Sequence, residues 1–321
     1  MAVYTKVPRP ALEKLLSGYE LGRLVSMHEI LEGVENTNYL IVTSSGKYIL
    51  TLYEKRVKRE DLPFFIELMR HGALKGIPCP LPLADRNGEI LQTLRERPAA
   101  IVRFLNGEMT TAITPAHCRQ VGEALAHFHR ATQDFEPRRA NALSLAGWEK
   151  LVSACESRVD QVAPGLAEMI TGELSYLKEH WQKAKVLPQG VIHADLFPDN
   201  VFFENDKLCG LIDFYFSCND LLAYDLAVCV NSWCFEDEKT FSHDRMEALI
   251  SGYESGRPLS EAEREALPLL LRGAALRFLL TRLYDKLNHP LGTMVKVKDP
   301  LEYRGKLLFF RNNSLTRIQA A

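Results

Sequence analysis

Three side chains within nineteen positions carry the chemistry of this chain: Asp195, Asn200 five positions later, and Asp213. An Asp that accepts the proton of an attacking hydroxyl, an Asn at plus five that holds a metal, and a second Asp delivered by an apolar strand together specify phosphoryl transfer. That reaction passes through a loose transition state. The protein therefore mainly positions groups, while Mg²⁺ held by hard oxygens neutralises the developing charge. Asp195 is the candidate base, and Asn200 and Asp213 are the candidate metal ligands. Taken singly, an Asp after a strand is as readily a turn or cap residue. It is the joint spacing that points to catalysis.

The elements that must hold these residues follow from the surrounding pattern. Residues 201–203 and 208–212 read as two strands around the polar turn 204–207, a hairpin that leads from Asn200 to Asp213. A phosphoryl donor also needs a cradle. Gly33, in the turn before an apolar strand, can let backbone approach phosphates, and Asn36 and Asn38 offer polar groups beside it. A lone Gly there is equally ordinary turn chemistry.

Further along, residues 10–16 read as a helix, and 24–31, 38–43 and 47–53 as a three-strand meander. A helix over 61–74 has Asp61 as its N-cap and Pro63 in its first turn. Short strands at 83–84 with 90–91, then at 99–105, complete a five-stranded sheet by count. Beyond Asn106-Gly107, helices are expected over 114–131, 146–155, 167–183, 223–233, 244–253 and 260–287. The sequence thus predicts an α+β fold: an antiparallel sheet lobe over residues 1–105 and a larger helical lobe over 106–321.

Composition excludes several classes. With 321 residues, 46% hydrophobic and 25% charged, the chain can bury a large core. Its 39 basic and 41 acidic residues give a net charge of −2, so no general nucleic-acid or anionic-membrane binder is expected. The longest apolar stretch, 267–287, is interrupted by Arg272, Arg277 and Arg282, and the first residues have no signal-like apolar run. Seven scattered cysteines without a Cys-x-x-Cys pair read as reduced core thiols. A cytoplasmic protein is expected. His127 and His129, two apart on a helix, point to different sides and do not suggest a metal pair.

The run His193-Ala194-Asp195-Leu196-Phe197-Pro198-Asp199-Asn200 with Ile212-Asp213-Phe214 resembles the aminoglycoside phosphotransferase and choline kinase superfamily, relatives of protein kinases. Together with Glu35-Asn36-Thr37-Asn38-Tyr39 and the strand from Tyr48 to Glu54, it is most similar to the bacterial homoserine kinase family within that superfamily. The resemblance covers nearly the whole chain. It implies a protein-kinase-like two-lobe fold, ATP and Mg²⁺ as cofactors, and the side-chain hydroxyl of L-homoserine, a small molecule, as acceptor on the route to threonine. Oligomeric state is left open. Choline, aminoglycoside or methylthio-sugar kinases of the same superfamily, and a catalytically silent nucleotide-binding regulator, are the alternatives.

The resemblance also assigns places. Glu67 stands mid-helix where kinases carry the Glu that pairs with a nucleotide lysine. Relatives commonly place that Lys or Arg in the third strand. Here Thr51 occupies the position, and Lys47 and Lys55, four residues away on the same strand face, are displaced by about 13 Å. Arg103 is the remaining candidate for the phosphates. The adenine is expected against the backbone of Val102, Arg103, Phe104 and Leu105. For a zwitterionic acceptor the pocket needs an anion and a cation, with His193, Asp199, Asp220, Arg103 and arginines of the long helix as candidates. Arg272, Arg277 and Arg282 recur every five residues, about 140° apart, so they cannot form one stripe. Asp225 is expected to brace the catalytic loop.

Overall fold

A clean alternation of buried and half-buried residues over Thr37–Thr43 gives that strand one face for a core and one for the opposite side. In the computed structural model, which describes residues 4–31, 36–54, 57–184, 186–288 and 297–313, this strand lies in a five-stranded antiparallel sheet. Helix α1 (Arg9–Leu16) leads into strands β1 (Leu24–Ile30), β2 (Thr37–Thr43) and β3 (Gly46–Leu52), the expected meander. Helix α2 (Leu62–Leu74) follows, then β4 (Gln92–Leu94) and β5 (Arg97–Arg103), in the sheet order β1-β2-β3-β5-β4. Leu12 and Leu16 of α1 pack with Tyr39, Ile41, Leu50, Leu52 and Ile101 into one apolar cluster.

Two local expectations differ. The fourth strand is Gln92–Leu94, joined to β5 by Arg95-Glu96, both at positive φ (53° and 63°), as a tight hairpin requires. Residues 83–84 and 90–91 make no strand of their own. Pro82 only bridges Val102, and the Leu83 amide donates to Ile101, because a Pro within the run cannot donate to a continuing ladder. Asp61 does precede α2 but does not cap it. It closes a 3-10 turn, already in helical conformation, so its side chain is not set to receive the first free amides.

The chain forms two compact units. The first comprises residues 1–107 together with Cys209–Tyr215, and the second comprises the rest. The return of Cys209–Tyr215 to the first unit was not part of the expected division. Its cause lies in specific contacts: Leu211 donates its amide to Pro78 (2.7 Å), and the Tyr215 ring packs edge-on against Tyr53 and Phe65.

The second unit begins with β6 (Glu108–Met109) and α3 (Pro115–Ala131). Thr114 caps α3 by accepting from the His117 amide, while the His117 ring accepts from Thr114, a capping box with His in the usual Glu position. Helices α4 (Leu145–Cys155) and α5 (Leu166–Ala184) precede β7 (Gln189–Ile192), β8 (Val201–Glu204), β9 (Lys207–Leu211) and β10 (Cys218–Leu221). Asn205 and Asp206, both at positive φ, make the turn between β8 and β9. Next come α6 (Leu222–Trp233), the short β11 (Phe235–Glu236) and β12 (Thr240–Phe241), then α7 (His243–Gly256), α8 (Glu261–Asn288) and α9 (Pro300–Asn312). α6 is buried on nearly every side, which its apolar sequence permits.

Helix α9 was not anticipated, although Asp299-Pro300 is a readable start: Asp299 accepts from the Leu301 amide, and Pro300 fills the first turn. Arg272, Arg277 and Arg282 of α8 do face different partners: Glu173, the Ala194 carbonyl and Glu302. Among the described residues no helix is long and apolar enough to cross a membrane. All seven cysteines are free thiols, and six of them are buried.

α3 and α7 pack closely where Gly122 and Gly252 let the backbones meet; a Cβ on either would collide with a carbonyl oxygen of the facing helix. Gly252→Ala should therefore lower unfolding stability by about 1–3 kcal/mol, measured by urea unfolding followed by circular dichroism. A loss below about 0.5 kcal/mol would show that the two helices separate without cost.

Candidate active site

β7 pairs with β10, Ile192 opposite Cys218, and this register fixes where the next residues leave the strand. His193 to Asn200 then form a loop that ends in one 3-10 turn, Pro198–Asn200. Ala194 sits at φ 65°, a left-handed conformation that costs a residue with a Cβ about 1–2 kcal/mol. Asp225 of α6 holds it there. Its carboxylate accepts the His193 amide (2.7 Å) and the Ala194 amide (2.8 Å), and also faces His129 Nε2 at 3.1 Å. The buried Arg277 guanidinium donates to the Ala194 carbonyl, and Trp233 Nε1 donates to the Leu196 carbonyl (2.8 Å).

This bracing sets the Asp195 carboxylate beside Asn200. Asn200 Nδ2 lies 2.7 Å from the Asp195 carbonyl and 3.3 Å from Asp195 Oδ2. With its nitrogen turned to Asp195, the amide presents Oδ1 as the acceptor for a cation. Among the described residues no group of three or more His, Cys, Asp and Glu could hold a metal by itself. An ion here would need other oxygens, such as those of phosphates, to complete its shell.

The remaining candidates of the second unit divide. Asp199 is half exposed and pairs with Lys298 across 3.1 Å. Asp220 is engaged internally, accepting from Asn141 Nδ2 (2.6 Å) and the Leu221 amide. Burial raises its pKa above the usual carboxylate range despite those bonds. His193 is 1% exposed, and its Nδ1 faces the Asp195 amide at 3.3 Å. A ring closed off in this way supports the loop instead of touching an acceptor, which corrects the expectation for His193. Arg272 and Arg282, bound to Glu173 and Glu302, are likewise committed within the fold.

In the first unit, Asp213 also lies in the left-handed region, φ 64°. Two residues on, the Tyr215 hydroxyl meets Tyr53 at 3.2 Å, and burial raises the pKa of Tyr215 well above normal. Thr51 Oγ1 donates to Asn38 Oδ1 (2.8 Å), so the position where a cation was expected is filled by a neutral hydroxyl. Asn36 accepts the Glu54 amide (3.3 Å), tying the start of β2 to the end of β3. Gly33 and Lys55 lie outside the described residues.

Glu67 faces solvent, half exposed beside Arg70, because the apolar residues around it on α2 take the inward side. Along Val102 to Leu105, the amide of Arg103 donates to Leu81 (3.0 Å) and that of Phe104 to Lys47 (3.4 Å). The Val102 side chain is buried. Two of the amides expected to face a base are therefore already used within the sheet.

Two residues near the catalytic loop escaped the sequence reading, both carried by the unrecognised start of α9. Lys298 Nζ stands 5.4 Å from the Phe197 ring as well as on Asp199. The Tyr303 hydroxyl is buried without a hydrogen-bond partner among the described residues. Burial raises its pKa well above normal; Arg282 opposes this, while Glu302 and Asp195 add to it.

The profile described as "Phosphotransferase enzyme family" matches residues 26–259. The chain is 57% identical over 309 residues to a homoserine kinase of Xanthobacter autotrophicus, covering 96% of each chain. It is 56% identical over 311 residues to one of Rhodospirillum rubrum, covering 97% of this chain and 96% of the other. Among solved structures, the amicoumacin kinase hAmiN in complex with AMP-PNP, Ca²⁺ and Ami superposes with a TM-score of 0.70 at 16% identity, covering 96% of this chain and 92% of that one. A choline/ethanolamine kinase family protein from Mesorhizobium loti gives 0.61 at 17%, covering 93% and 90%. The solved structures establish the protein-kinase-like fold expected from the sequence.

Burial alone would raise the pKa of Asp225, but the His129 contact, the charge of His193 and the Ala194 amide outweigh it and hold the folded value below that of a free carboxylate. A carboxyl that titrates lower when folded stabilises fully above its unfolded pKa and loses that contribution as pH falls through the folded value. Wild-type stability, measured by denaturant titration from about pH 6 to about pH 3, should therefore fall more steeply than that of Asp225→Ala. The variant itself should be about 3–5 kcal/mol less stable at neutral pH. Parallel curves would mean that Asp225 does not carry the loop.

Proposed function

The chain belongs to the phosphotransferase enzyme family, and from that premise we propose that it transfers the γ-phosphoryl group of ATP to the side-chain hydroxyl of L-homoserine, giving O-phospho-L-homoserine. It is a kinase, and its product lies on the route to threonine. For the reaction, the observation that carries the reading is the Asp195 carboxylate held by Asn200 at 3.3 Å on a braced loop. For the acceptor, support comes from homoserine kinases aligned with this chain at 56–57% identity over nearly the full length of both partners. The partner is a small molecule, and a cytoplasmic site of action accords with that chemistry.

Asp195 acts as the base. As the phosphoryl group is transferred, its carboxylate takes the proton of the acceptor hydroxyl, which must come within about 3 Å. The Asn200 amide orients that carboxylate, and the bonds from Asp225, Arg277 and Trp233 prevent the loop from relaxing. A loose transition state rewards such positioning more than covalent help. Mg²⁺ would be held by Asn200 Oδ1 and the Asp213 carboxylate, hard donors that suit it, and would neutralise charge on the phosphates. The adenine lies along Val102 to Leu105, served by carbonyls and by the positions beyond Phe104, since the amides of Arg103 and Phe104 are engaged.

A panel of L-homoserine, D-homoserine, L-serine, choline and kanamycin, assayed with ATP and Mg²⁺ under one set of conditions, tests the acceptor. L-homoserine should give the highest kcat/KM, and a win for choline or kanamycin would replace it. In the same assay Asp195→Ala should lose about 10²–10⁴ in kcat while its thermal midpoint stays near that of the wild type. Near-normal turnover would remove Asp195 from the role of base.

A further inference from the structure

An α-amino acid carries an ammonium and a carboxylate on one carbon, so a site that selects it must offer two opposite charges close together. At the catalytic loop the second unit has such a pair: Lys298 Nζ lies 3.1 Å from Asp199 Oδ2, with side chains 59% and 53% exposed. Its position relative to the candidate base is fixed. Asp199 immediately precedes Asn200, whose Nδ2 stands 3.3 Å from Asp195 Oδ2. Beside the pair runs an aromatic wall: Phe197, under the Lys298 ammonium, packs edge-on against Phe278 (4.8 Å), which packs against Tyr303 (5.2 Å). The Tyr303 hydroxyl is buried there without a hydrogen-bond partner among the described residues.

The neighbouring cations differ from Lys298 in their commitments. Arg277 is 2% exposed and bound to the Ala194 carbonyl; Arg282 is 9% exposed and bound to Glu302. Removing either from its partner would leave a buried charge uncompensated. Lys298 and Asp199 pair in water, where such a contact contributes little and opens readily.

We propose that Lys298 receives the α-carboxylate of the acceptor and Asp199 its α-ammonium, the substrate inserting between two side chains that otherwise neutralise each other. Each charge then exchanges one partner for another, and none is left unpaired. An acceptor with only one of the two groups leaves one protein charge facing nothing, which is the physical basis of discrimination. The inference rests on L-homoserine as acceptor and deepens it by naming what reads the amino-acid end.

The test is kcat/KM for L-homoserine, for 3-amino-1-propanol, which lacks the carboxylate, and for 4-hydroxybutanoate, which lacks the ammonium. Lys298→Met should cut the preference for L-homoserine over 3-amino-1-propanol by roughly tenfold to thirtyfold, and Lys298→Glu should reverse that preference. Asp199→Asn should cut the preference over 4-hydroxybutanoate by a similar factor. A purely structural role would lower all acceptors together, so a Lys298→Met protein that keeps the wild-type preference overturns the assignment alone. A wild-type protein that phosphorylates no L-homoserine overturns the acceptor reading as well, and the two failures are distinct.

Discussion

One buried carboxylate, Asp225, sets the conditions for the second unit. It sits in the first turn of α6, fully shielded from solvent, where an unpaired charge would be prohibitive. Two backbone amides of the catalytic loop and His129 Nε2 satisfy it, and the loop amides can reach it only if Ala194 adopts its left-handed conformation. The strain at Ala194 and the burial of Asp225 therefore support each other. Neither would persist alone.

The same carboxylate orders protons further out. Asp225 can only accept, so His129 Nε2 donates to it, and His129 Nδ1 meets the Tyr253 hydroxyl at 2.8 Å. Tyr253 in turn accepts from Arg257 (3.1 Å), and Arg257 bonds to the buried Glu263 (2.8 Å). Arg257 donates in both directions, to the Tyr253 hydroxyl and to Glu263. The chain of bonds links α3, α6, α7 and the start of α8 to a single backbone turn, and connected hydrogen bonds of this kind strengthen one another.

The first unit solves a different problem, with neutral groups. Where the sequence resemblance implies a cation in the third strand, Thr51 bonds to Asn38, and the Tyr53 and Tyr215 hydroxyls meet each other. The buried Glu54 accepts from Thr5 and Thr37 and pairs with Arg97, so the acidic group near the end of β3 is neutralised within the sheet. At Thr51 itself the polar contact is between neutral groups, and the charge is carried by the Glu54–Arg97 pair beyond the strand's end.

The sequence by itself determined the candidate reacting residues, through the spacing of Asp195, Asn200 and Asp213, and most of the elements that carry them. The meander, the hairpin after Asn200 and the long helices were legible because alternation, helical periodicity and turn residues report the local backbone. The tertiary structure decided which candidates were drawn inward. His193 turned out to be a buried support, Glu67 faced water, and Lys298 met Asp199 from 99 residues away. It also decided that Cys209–Tyr215 belongs with the first unit and that each arginine of α8 has its own partner. The reason is physical. A residue's chemical type and local conformation are set by its neighbours in the chain, whereas its exposure and its charge partner are set by residues far along it that packing alone brings near.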